Sequence, residues 1–276
     1  MRALRFARTP TGAIGLTILI AVGAVAVFGP LVAQHSPSRP IGVPGTGPSA
    51  KALLGTDFLG RDVLSRVLWG GRSVLGLGGL ATVLAYLGGG LIGIVAGYSR
   101  NRLDGILMRA IDVLLAFPPL LVVLVVIAGA GTSLSVLVLA VVLVQLPGIA
   151  RLIRSLTLTT TGRGYVEAAV IRGESTASIL RREILPSIAG PVSADLGLRM
   201  TFSILLIAGA NFLSLGLQPP AADWALMIAE NRDYLELNPW AVAVPAALIA
   251  ALTVGLSFTG DAVARSLGRS NLVGLR

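Results

Sequence analysis

The chain has 276 residues, of which 54% are hydrophobic and 13% charged, with a mean hydropathy of +0.85. A soluble domain carries about a quarter charged residues, and here the apolar residues come in long blocks, so a large soluble core is excluded in favour of a polytopic membrane protein. The net charge of +9 has no basic run interleaved with aromatics, which argues against nucleic acid. The absence of cysteine, with His35 the one histidine, excludes disulfides and any thiolate or histidine metal cluster within the chain.

Met1–Gly12 carries Arg2, Arg5 and Arg8 and leads into the apolar run Ala13–Ala33. About twenty apolar residues span a bilayer. Pro30 and Gln34 stand where a signal peptide would have its small-residue cleavage site. The run is therefore expected to be a first membrane helix, its N-terminus held in the cytoplasm by the arginines. His35–Leu53, rich in Pro, Gly and Ser, reads as an extended outer loop. In Leu54–Leu75, apolar Phe58, Leu59, Val63, Leu64, Val67 and Leu68 recur at helical spacing, with Arg61, Asp62, Arg66 and Arg72 between them. This predicts an amphipathic helix on the periplasmic side, lying in the interface and capped by Thr56 or Asp57.

Ser73–Tyr98 spans next, with eight glycines available for close helix packing. Ile106–Gly131 crosses back, with Asp112 near its inner end and Pro118–Pro119 inside it. Such prolines are tolerated only where the freed backbone groups face protein or a water-filled cavity. Leu134–Ala150 returns, interrupted at Pro147–Gly148. A polar loop, Arg151–Gly190, precedes a fifth span from Val192 to Leu217, an outer segment Gln218–Asn238 and a last span Pro239–Thr259. Six spans place both termini on one side. The two outer segments hold six basic and six acidic residues, leaving sixteen of the 22 basic and seven of the 13 acidic residues for the inner side, as the positive-inside rule requires.

The polar loop has internal order. Tyr165–Arg172 forms a short helix ending at Gly173, which reaches the left-handed conformation without steric cost. Ser175 can cap a second helix, and Pro186 is expected to stop it. Glu167-Ala168-Ala169, then Gly173, then Ile184-Leu185-Pro186 resemble the EAA loop of ABC importer permeases. LGTDFLGRDVLSRVLWGGRSVL (54–75), DGILMRAIDVLLAFPPLL (104–121) and LSLGLQPPAADWALM (213–227) resemble the dipeptide, oligopeptide and nickel permeases, and within them the C-type partner of a two-permease pair. The tail departs from that pattern at Ala264-Arg265 and Leu267-Gly268-Arg269.

The resemblance implies an all-α polytopic membrane protein of the type I ABC importer permease fold, with six transmembrane helices in the bacterial inner (plasma) membrane and both termini cytoplasmic. It divides the chain into 1–72 (tail, first span and outer segment), 73–260 (five-helix core with the EAA loop at about 151–190) and 261–276 (tail). It implies import of dipeptides or oligopeptides, with nickel chelates or glutathione as alternatives. The implied partners are a second homologous permease in a pseudo-two-fold heterodimer, one or two ATPase subunits, an extracytoplasmic substrate-binding protein and membrane lipid. The chain has no Gly-x-x-x-x-Gly-Lys sequence, and its one lysine is Lys51. It is thus read as a non-enzymatic subunit binding no cofactor or metal, with ATP and Mg on the partner ATPases.

By the same resemblance Tyr165, Glu167, Ala168, Ala169, Gly173, Ser175 and Pro186 are candidates for ATPase coupling. Pro118, Pro119 and Asn211 are candidates for pore lining or packing. Asp112 is expected to pair with Arg109, and Asp195 with Arg199. Asp223, Glu230, Asp233 and Glu236 form an acidic cluster open to two readings, a binding-protein contact or a solvated face, and Trp224 and Trp240 are read as interfacial anchors. A secondary transporter, the rival class, would need several intramembrane carboxylates or broken helices in repeated halves. Only Asp112 and Asp195 approach the membrane.

Overall fold

The computed structural model describes residues 9–99 and 102–273. Arg2, Arg5, Arg8, Arg100 and Asn101 lie outside the described residues. The helices are α1 (Pro10–Val32), α2 (Val63–Ser99), α3 (Arg102–Leu115), α4 (Pro119–Ala130), α5 (Leu134–Thr161), α6 (Gly164–Ile171), α7 (Thr176–Ile179), α8 (Leu185–Phe212), α9 (Trp224–Asn231) and α10 (Trp240–Val273). Five helical stretches are long and apolar enough to cross a membrane, and the bent pair α3–α4 makes a sixth if counted as one span. Contacts along the helices give alternating directions, so α6, the start of α1 and the end of α10 lie at one end of the bundle and α9 at the other.

α1 starts at Thr9, whose hydroxyl accepts from the Gly12 N–H, and packs along α10, with Gly15 against Thr259 and Gly255 against Ile18 and Leu19. α2 and α5 run parallel along a seam of glycines. A Cβ at Gly89, Gly93 or Gly97 would come within 2.6–2.8 Å of the carbonyls of Leu146, Ala150 and Arg154 in turn. Only a residue without a side chain fits a backbone that close. In lipid, where apolar surface gains nothing from leaving the solvent, such van der Waals contact supplies much of the association.

Four expectations change. The outer segment Leu54–Asp62 is not an interfacial helix: it is a looped turn, bridged from Pro40 to Arg61 and from Thr56 to Asp62. Its side chains compete with the helical ladder, because the Asp57 carboxylate accepts the N–H groups of Leu59 and Arg61 at 2.9 and 2.8 Å. Asp62, rather than Thr56 or Asp57, caps α2, accepting from the Ser65 N–H and hydroxyl. From there α2 runs unbroken for 37 residues, so the division at 72/73 falls within it. Second, the Pro118–Pro119 stretch does more than interrupt a span: α3 and α4 meet at 90°. The 12 residues of α4 rise about 18 Å, short of a hydrocarbon core about 30 Å thick.

Third, α5 carries Pro147 without breaking and continues to Thr161, so residues 151–161 of the supposed loop are helix. Fourth, Pro186 ends nothing. Leu180–Ile184 forms a π-helical turn, closed by the Leu185 N–H on the Leu180 carbonyl, and α8 follows directly with Pro186 in its first turn. The widened turn accommodates a ring that would otherwise clash with the carbonyl four residues back. Thr176–Phe212 is thus one 37-residue helical rod. α10 likewise passes through residue 260 into the tail.

The glycine seam makes a direct prediction. Gly93→Val, which must push α2 off α5, should lower the thermal stability of the solubilised protein, with a cost of about 1–3 kcal/mol for overpacking. Gly23→Val, on α1 with nothing within 4 Å of its Cβ position, should leave the aggregation temperature nearly unchanged.

Candidate functional site

Eight residues, Gly164–Ile171, make up α6. Val166 and Ala169 are buried and belong to the same core cluster as Ile149 and Ile153 of α5, Ala85 of α2, and Ile179, Ile184 and Ile188 of the rod. Three positions apart, they share one helical face. Tyr165, Glu167, Val170 and Ile171 are all exposed, with Ile171 open to 86% of its surface. Ala168 is half-buried. The helix ends in a Schellman motif: the Glu174 N–H bonds the Ala169 carbonyl and the Gly173 N–H bonds the Val170 carbonyl. Gly173 has φ +75° and open space at its Cβ position. Its requirement is conformational rather than steric.

Beyond Gly173 the loop is held by short polar contacts. Glu174 accepts from Arg172 at 2.7 Å and from Ser178 at 3.0 Å. The Arg172 guanidinium, with Ser178, holds the Glu174 carboxyl below its usual range. Ser175 caps α7 through the Ser178 N–H. Tyr165 closes the site onto the rod, its hydroxyl 2.9 Å from Ser187 Oγ, one residue past the exposed Pro186. α6 therefore joins α8 twice, through chain and through side chains.

At the other end, the acidic cluster divides. Asp233 and Glu236 are exposed, flanked by exposed Leu235 and Leu237. Asp223 and Glu230 are not surface groups. Asp223 is fully buried and caps α9, accepting from the N–H groups of Ala225 and Leu226, the Asn211 amide at 3.0 Å and the Ser73 hydroxyl at 2.7 Å. Burial pushes its carboxyl up, while these donors pull it down. Glu230, 6% exposed, lies 2.7 Å from Arg66 and 3.1 Å from Arg61, and both arginines also face Asp57. Burial raises the Glu230 carboxyl against the pull of Arg66 and Arg61. Both carboxylates are buried and tie the segments at the α9 end together instead of lying on an open surface.

Other expected roles also move. Asn211 sits at the end of α8, where its bonds to Asp223 and the Leu217 N–H fit the packing reading and not the pore-lining one. Pro118 and Pro119 are exposed at the α3–α4 elbow. Asp112 pairs with Arg151 at 2.5 Å rather than with Arg109, while Asp195 and Arg199 do pair, at 3.0 Å. Trp224 is no interfacial anchor. It is completely buried, its indole N–H on the Val67 carbonyl in the notch left by Gly70 and Gly71. Trp240 is exposed.

Residues 89–270, which include α6 and the whole rod, match the family model described as "binding-protein-dependent transport system inner membrane component". The chain belongs to that family. It is 35% identical over 260 residues to a di/tripeptide transport system permease protein of Pseudomonas aeruginosa, covering 92% of this chain and 86% of the relative. A dipeptide transport system permease protein of Alkalihalophilus pseudofirmus is 31% identical over 92% of this chain and 84% of its own length. A glutathione transport system permease protein of Pectobacterium atrosepticum is 35% identical over 80% of this chain and 73% of its own. The chain is thus a membrane-spanning permease subunit of an ABC transport system, and the secondary-transporter reading falls away.

Two features of this permease escaped the sequence reading. The exposed apolar edge of α6, Val170 and Ile171, was signalled only by an isoleucine placed directly before Arg172-Gly173. The buried quartet Asp57, Arg61, Arg66 and Glu230 joins residues up to 173 positions apart, which no local spacing reports. Removing one partner of a buried pair costs about 3–5 kcal/mol because it strands the other charge. Arg66→Met should therefore sharply reduce the yield of folded permease, measured by size-exclusion profile, and Glu230→Gln should restore part of it in the double variant.

Proposed function

We propose that this permease forms half of the channel of an ATP-driven importer of short peptides, and that α6 is the helix through which separate ATPase subunits drive it. The observation that carries the reading is the two-faced geometry of α6. A helix of eight residues buries Val166 and Ala169 in the span core and leaves Tyr165, Val170 and Ile171 open beside Glu167 and Arg172. Exposed apolar groups with flanking charge suit a protein groove. Gly173 and Ser175 shape the path from that face to the rod, which continues through Pro186. ATP and Mg would sit on the ATPases, whose closure would push α6 and tilt Thr176–Phe212.

Peptide cargo is supported by the relatives' names. The di/tripeptide, dipeptide and glutathione permeases share one chemical class, short peptides with free carboxylates. A second permease would complete the channel, and an extracytoplasmic binding protein would deliver cargo to the α9 end, where Asp233 and Glu236 remain exposed. This orientation puts α6 and both termini in the cytoplasm, in accord with the excess of basic residues at that end.

Ile171→Asp should leave the permease folded yet weaken retention of the ATPases in pull-down by about 30-fold, as expected for loss of an interfacial anchor worth about 2 kcal/mol. Glu167→Arg should act in the same direction, and undiminished retention in both variants would refute the coupling role. Orientation is open to single cysteines, since the background has none. Ser49→Cys should react with an impermeant thiol reagent from outside and Thr159→Cys, exposed on the last turns of α5, only from inside.

A further inference from the structure

Arg199 lies in α8 thirteen residues before Phe212, about 20 Å from the helix end and so within a hydrocarbon core about 30 Å thick. It is held from two directions. Its Nε donates to Asp195 Oδ2 at 3.0 Å, and the same carboxylate oxygen accepts the Tyr86 hydroxyl at 2.7 Å. Its backbone carbonyl accepts from the Gln145 amide at 2.7 Å, and that amide also reaches Ser203 Oγ at 2.8 Å. Thr82 Oγ1 stands 2.9 Å from the same Ser203. Polar groups of three helices thus fix this arginine.

The far edge of the guanidinium is unused. Nη1 and Nη2 donate to no acceptor among the described residues. They lie over Gly148 of α5, where a Cβ would come within 2.6 and 3.1 Å of them. The preceding Pro147 has no N–H for the carbonyl four residues back, that of Leu143. The side chain is 23% exposed. A charged group with free donors cannot open onto lipid tails without a cost of several kcal/mol, so inside a span it faces water or protein.

We propose that the Nη edge of Arg199 binds a carboxylate of the cargo as it crosses the membrane. The Nε edge and Asp195 set the position of the fork, and Gly148, without a side chain, makes room for the guanidinium against α5. Two parallel N–H donors match the two oxygens of a carboxylate. That the carboxylate belongs to a peptide rests on the proposed function; the anion-binding edge does not.

The test uses the assembled transporter with a single cysteine at Val144 or Leu152, one turn to either side of Gly148 on the same face. The probes are the anionic 2-sulfonatoethyl and the cationic 2-trimethylammonioethyl methanethiosulfonates. The anionic reagent should react faster relative to the cationic one, and Arg199→Gln should lower that ratio at least about threefold, as expected for one charge at close range in water. Acetate and a dipeptide should each slow the anionic reagent, and Arg199→Gln should abolish the slowing. Protection by acetate alone would support the site and remove the peptide reading. If Arg199→Gln does not assemble, Asp195→Asn, which frees the guanidinium, should raise the anionic preference. A ratio indifferent to both substitutions, or no reaction with either reagent, would overturn the proposal.

Discussion

The structure depends on the packing of α6 into the membrane core. Val166 and Ala169, on a short helix outside the spans, are buried in one cluster with Ile149, Ile153 and Ile188, which belong to them. A loop helix held only by its ends would swing independently of the bundle. This one is anchored by apolar contact, by Tyr165 on Ser187 and by the unbroken rod Thr176–Phe212. Burying a valine contributes about 1.5–3 kcal/mol, enough to hold so small an element in one position. The π turn keeps the rod continuous past Pro186.

That anchoring matters because the bundle behind it is stiff. The glycine seam brings α5 against α2 at backbone distance, and the buried hydrogen bonds of Thr82, Gln145 and Ser203 join both helices to α8. At the far end the neutral quartet Asp57, Arg61, Arg66 and Glu230 binds the loop before α2 to α9, while Asp223 links α2, α8 and α9. A displacement applied at α6 has few soft places in which to dissipate. Among the described residues, the 90° elbow between α3 and α4 is the one sharp bend in the crossings.

Features set by neighbouring residues were legible in the sequence. The crossings follow from apolar block length, and the α6, Gly173, Ser175 order from a left-handed glycine and a hydroxyl cap. Features set by distant partners were not. Arg61 and Arg66 look like the polar face of an interfacial helix until Glu230, more than 160 residues later, is placed beside them. Trp224 looks like an anchor until Gly70 and Gly71 supply its notch. Asp112 has Arg109 at helical spacing but turns to Arg151 on α5. Pro186 carries a true local signal, a helix stop, which the π turn before it cancels.

The central claim is that α6 and α8 move as one body, so that ATPase closure becomes movement in the membrane. The most direct measurement is cargo taken up per ATP hydrolysed by the assembled transporter with two glycines inserted after Arg182, inside the π turn. The account predicts that the ATPases still bind and hydrolyse ATP while uptake falls to background, because α6 keeps its outer face but loses its rigid link to the rod. Uptake per ATP equal to that of the unaltered transporter would contradict it.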